Sequence, residues 1–101
     1  MKDWLAFMKK YNPDADLTDL SNATGYSAAA TLVQVLKQCG DDLTRENVMK
    51  QAANLKVLEL PLLLPGIKIN TSPTNFFPIN QERLIKFDGK IWVPFGDVVS
   101  G

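Results

Sequence analysis

The 101-residue sequence has no histidine and a single cysteine, Cys39. The first absence removes the side chain most used as a general base near neutral pH, and the commonest metal ligand. A lone cysteine closes no internal disulfide and builds no thiolate cluster. Metalloenzyme and cysteine-hydrolase chemistry are therefore set aside, and no metal or other cofactor is expected. Basic excess is missing too, since 11 Lys and Arg balance 11 Asp and Glu. Such a chain has no electrostatic footprint for a phosphate backbone, so nucleic acid is not an expected partner. The longest apolar run, residues 60–64, is short and broken by Pro61 and Pro65. A bilayer span needs about 20 apolar residues, so none is expected. Met1-Lys2-Asp3-Trp4 is not a basic region leading into an apolar core, so no signal peptide is expected in this stretch. There is no glycine-rich phosphate loop and no serine in a nucleophile-elbow context.

What is present suits one domain at most. A chain of this length buries roughly two-thirds of its unfolded surface. With 46% hydrophobic residues, that is enough for one modest core. The first half has helical periodicity and the second half is extended. Trp4, Phe7, Met8 and Tyr11 share one face of a short helix, which Asn12-Pro13 stops. A polar loop with Asp14, Asp16 and Asp19 follows. A second helix is predicted over residues 22–39, with Asn22 or Thr24 as its N-cap. Its polar residues, Ser27, Thr31, Gln34 and Gln38, make one stripe. The remaining arc is apolar, which predicts a largely enclosed helix with Ala29 tightly packed. Gly40 is the expected left-handed stop. Thr44 caps a third helix, with Glu46 in its first turn and Val48, Ala52 and Leu55 facing inward.

From Leu58 the period changes. Residues 60–66 are too rich in proline for a helix or a central strand and make a packed loop. Residues 67–70 alternate as a short strand. Two alternating runs, 83–87 and 90–95, flank Asp88-Gly89, a strong hairpin signal because both central residues of the tight turn need positive φ.

The candidates for chemistry each have a plainer reading. Cys39 is either a reactive thiol, half of an intermolecular bridge, or a small buried hydrophobe; burial is the reading adopted. Asp14, Asp16 and Asp19 lack the glycine and terminal glutamate of a calcium loop and make a solvated turn. No carboxylate pair is singled out for glycosidase chemistry. Phe76, Phe77 and Trp92 either line a ligand pocket or pack internally, Trp92 in the core and the phenylalanines as a plug; packing is adopted.

Four stretches in order carry a family resemblance: KKYNPDAD (9–16), TGYSAAATLVQVLKQCGDDLTRENVMKQAANLK (24–56), LPLLLPGIKINTSPTNFFPI (60–79) and LIKFDGKIWVPFGDVVS (84–100). Together they resemble the C-terminal end of the periplasmic solute-binding proteins of branched-chain amino-acid ABC transporters. Those proteins are several times longer. The resemblance implies an α/β fold: a single partial domain, residues 1–101, of a two-lobed type 1 periplasmic binding fold. It implies about three helices in one lobe, then a short strand, and a C-terminal hairpin near or within the other lobe.

The resemblance further implies export to the periplasm, an amino acid or small carboxylate as solute, and delivery to a membrane permease, with no enzymatic turnover. The positions matching the family's cleft loop are Ser21 and Asn22, where relatives often carry a more aromatic run. The family's main contacts to the solute's carboxylate and amine come from segments earlier than any present here, so binding by this chain alone is not expected. A second reading is a stand-alone interaction module, a separately encoded fragment that pairs with itself or with another chain. An apolar helix arc and an unpaired hairpin edge lead to the expectation of a homodimer or higher oligomer in isolation, with exchange of the hairpin as one route. A third is a small enzyme working through carboxylates.

Overall fold

The computed structural model describes residues 2–101. The described residues are mixed α/β: three helices, a long irregular segment and a C-terminal antiparallel hairpin. Helix α1 (Lys2–Tyr11) places Asp3 in its first turn and Lys9 and Lys10 in its last, each where the helix dipole favours that charge. It buries Trp4 and Met8. Asn12 closes it by donating its N–H to the Met8 carbonyl, and Pro13 then prevents continuation.

Helix α2 (Leu20–Cys39) starts two residues earlier than the sequence pattern predicts, and neither Asn22 nor Thr24 caps it. Asp19 does, because its carboxylate accepts the Ser21 N–H at 2.9 Å. At the other end Gly40 has φ +59° and ψ −128°. The positive φ is as expected, but this ψ lies outside the left-handed helical well. Thr44 caps α3 (Arg45–Ala52) as predicted, its hydroxyl accepting the Asn47 N–H at 3.3 Å.

The core is small. Val35 and Cys39 from α2 meet Leu55 and Ile69, with Val48, Ala52, Leu58 and Leu63 around them. Cys39 is thus a buried packing residue, as read from its place at the helix end. The expected strand at 67–70 is reduced to single bridges. Ile69 pairs with Leu58 on one side and Ile79 on the other. Prolines at 61, 65, 73 and 78 remove the donors that a longer ladder needs.

The hairpin pairs β1 (Gln81–Phe87) with β2 (Trp92–Ser100). Its turn is longer than the two-residue type predicted. Phe87 faces Trp92, so residues 88–91 form the loop. The Asp88 carboxylate explains the difference, accepting the Lys90 N–H at 2.8 Å and the Ile91 N–H at 2.9 Å. Within this loop only Gly89 takes a positive φ. Two contacts seat the base of the hairpin on the irregular segment. The Lys68 N–H donates to Gln81 Oε1 at 2.9 Å, and a Cβ on Gly66 would lie 3.2 Å from Val98 Cγ2.

The enclosed-helix expectation fails. Leu32, Val33 and Leu36 of α2 are exposed, as is Ala29, whereas the polar Gln34 and Gln38 are half-buried. Gln38 turns toward α3, donating to Gln51 Oε1 at 3.3 Å. This glutamine contact draws the polar stripe inward and rotates the apolar arc out. Trp92 at 64% exposure and Phe77 at 77% likewise contradict the packing adopted for them, and Phe76 is also exposed. The hairpin projects from the body, so no second layer covers its faces. The radius of gyration is 16.1 Å. A compact domain of this length has about 13 Å. The molecule measures 52 × 37 × 17 Å, thin enough that elements are covered on one side only.

Candidate functional site

Two open grooves flank α2, and both come from small side chains on a helix whose neighbours are irregular loops. The first, about 600 Å³, runs between the start of α2 and the 60–79 segment. Leu20, Ala23 and Ala28 form one wall, and Leu63, Ile69 and Ile79 the other. Of the three hydroxyls along it, those of Thr24 and Thr31 are engaged with the helix backbone. Thr24 Oγ1 donates to the Leu20 carbonyl at 3.1 Å and Thr31 Oγ1 to the Ser27 carbonyl at 2.9 Å. Their methyl groups and the Ser27 hydroxyl are what the chain leaves to a ligand. Among the described residues, no charged side chain lines this groove. It therefore suits an apolar body and offers no charged partner to an ammonium or a carboxylate.

The second groove, about 430 Å³, lies on the other side of α2 between Phe7, Tyr26, Ala29 and Val33 and the 58–61 stretch. Its aromatic end is ordered by ring contacts: Phe7 sits 5.2 Å from Tyr26 and 4.9 Å from Tyr11. Lys37 and Glu59 stand at its rim. Glu59 is paired with Lys68, so its charge is partly neutralised.

Ser21 and Asn22 sit in the first turn of α2 but line neither groove. Asn22 Nδ2 donates to the Asp16 carbonyl at 2.8 Å, and the Ser21 N–H is held by Asp19. The two residues thus brace the 12–19 loop against the helix. The aspartates nearby serve the same turn. Asp16 accepts the Thr18 hydroxyl at 2.6 Å and the Thr18 N–H at 2.9 Å, which holds its carboxyl below the usual range. The Ser21 N–H does the same for Asp19. Among the described residues, no group of three or more acidic or cysteine side chains converges as a metal site would require.

Sequence reasoning missed both grooves. Their far walls come from residues 58–63 and 78–79, which carry no periodicity that places them against α2. The only available signal was the run of small residues from Ala28 to Ala30, which permits close approach from outside. No family model, no curated protein and no solved structure matches the chain.

Proposed function

We propose that this chain is the C-terminal segment of a two-lobed solute-binding protein of the branched-chain amino-acid transporter type. In this reading the complete protein is periplasmic. It closes around an amino acid or small carboxylate and passes it to a membrane permease, without catalysis. The observation that carries the proposal is the outward apolar face of α2, with Leu32, Val33 and Leu36 exposed on a helix that reads as enclosed. A face of that kind is normally covered, and in an α/β lobe a sheet would cover it. The ordered set of four motifs adds the family.

The chemistry of the grooves fits a partial cleft. An amino acid needs partners for both of its charges, and neither groove supplies a converging pair. Small solutes also need burial on most sides to offset their lost freedom. This segment supplies at most one wall, with Ser21 or Asn22 near the cleft of the complete protein.

Calorimetry with leucine, isoleucine and valine on both the 101-residue chain and a longer natural protein containing it tests the reading. Heat of binding from the longer protein alone is expected. Micromolar binding by the short chain, lost in Asn22→Ala, overturns it. The same projecting hairpin and open edges support the second reading, a self-associating module.

A further inference from the structure

We propose that β1 is a self-complementary sheet edge through which two copies of this chain pair antiparallel about a two-fold axis at Leu84. The inference goes beyond the solute-binding reading and does not depend on it.

The two edges of the hairpin differ. Strand β2 carries Pro94, which has no N–H, and the register slips between Arg83 and Ile85 because β2 has extra residues between Pro94 and Val98. Gly96, in that bulge, has φ +70°. Proline and a bulge are devices that blunt an edge. Strand β1 has neither, and among the described residues none of its backbone groups bonds outside the hairpin.

The phase of β1 is set at both ends. The Asp88 N–H donates to Ile91 O at 3.0 Å, and the Gly101 N–H to Asn80 O at 2.9 Å. Even-numbered residues therefore turn their backbone groups toward β2, and Gln81, Arg83, Ile85 and Phe87 turn theirs to the open edge. Two such edges must pair odd to odd. The register centred on Leu84 does so, placing Arg83 opposite Ile85 and Gln81 opposite Phe87. On the other face it sets Leu84 against its own copy and Glu82 opposite Lys86, twice. A shift of one step either way loses this match. It puts Arg83 opposite Arg83, or Glu82 opposite Asp88. Opposite charges across strands stabilise and like charges destabilise. The Leu84-centred register is therefore selected by charge as well as by hydrogen bonding.

The pairing has a reason to form. A two-stranded hairpin alone is marginal in water. Leu84, Ile85, Phe87 and Trp92 are all about half or more exposed. Two strands from each copy make a four-stranded sheet and give these side chains same-face neighbours.

Sedimentation equilibrium on the full chain tests this. The native chain should reach twice 11.2 kDa. Lys86→Glu or Glu82→Lys alone should weaken the dimer by about tenfold or more. The double variant Glu82→Lys/Lys86→Glu should recover it, and so should mixing the two single variants. Both positions are exposed, so circular dichroism should be unchanged. Leu84→Cys should give a disulfide-linked dimer on mild oxidation, since such facing pairs are close enough to bridge. A native chain that stays monomeric at the highest soluble concentration overturns the proposal. A dimer indifferent to the charge variants, or one that the double variant does not recover, overturns it equally.

Discussion

The hydroxyl of Thr71 donates to the carbonyl oxygen of Ala52 at 2.7 Å. The Thr71 hydroxyl oxygen in turn accepts the Leu55 N–H at 2.9 Å, and the Thr71 N–H donates to the Leu55 carbonyl at 2.9 Å. One buried polar side chain thus ends α3 and fastens the irregular segment to it. Thr71→Val keeps the shape and leaves a buried N–H without an acceptor. It should cost about 1–3 kcal/mol in urea unfolding. Thr71→Ser, which retains the oxygen, should cost clearly less.

Asp88 holds the hairpin loop through its carboxylate. The Ile91 and Lys90 N–H groups pull its carboxyl below the ordinary value of 3.8. A carboxyl lowered on folding adds stability that is present above the unfolded value and lost as pH falls through the folded one. Asp88→Ala should therefore lose stability at neutral pH, and its deficit should shrink below pH 3.8. Parallel thermal melts of both forms across that range are the check. An unchanged gap at low pH would show that the carboxylate's charge is irrelevant to the loop.

Val57 is the one non-glycine residue described with a positive φ, +49°. A β-branched side chain is poorly suited to that region. Its backbone is held there because its N–H donates to Asn70 Oδ1 at 2.8 Å. Val57→Gly should raise stability by roughly 1 kcal/mol, the relieved strain exceeding the entropy that glycine adds to the unfolded state. A lower midpoint in urea would count against strain at this position.

Much of this architecture was legible in the sequence because local rules decide it. The Asn12-Pro13 stop, the Thr44 cap and the site of the hairpin each depend on residues within a few positions of one another. The Asp19 cap escaped because four good capping residues, Asp19, Ser21, Asn22 and Thr24, stand within six positions, and sequence does not rank their φ/ψ. The length of the hairpin loop depended on one side-chain acceptor, Asp88. Exposure of Trp92 and of the α2 apolar arc was not legible at all. Apolar periodicity says that a face prefers burial, not that this chain supplies the cover. The groove walls at Leu63 and Ile79 come from aperiodic segments and were invisible for the same reason.

That distinction makes Ala29 diagnostic. Its side chain is exposed beside the second groove, so Ala29→Leu should change the stability of this chain by no more than about 0.5 kcal/mol. In a longer protein whose sheet covers α2, the same substitution should cost about 1–3 kcal/mol through overpacking. Equal effects in the two contexts would mean that nothing further packs on this face.

The most direct test of the segment reading is the mass and location of the natural protein. An antibody raised against the hairpin, applied to osmotic-shock fluid and to cytoplasm from cells that express the gene, reports both. The account predicts one species several times heavier than 11.2 kDa, in the shock fluid. A species of about 11.2 kDa confined to the cytoplasm would contradict it.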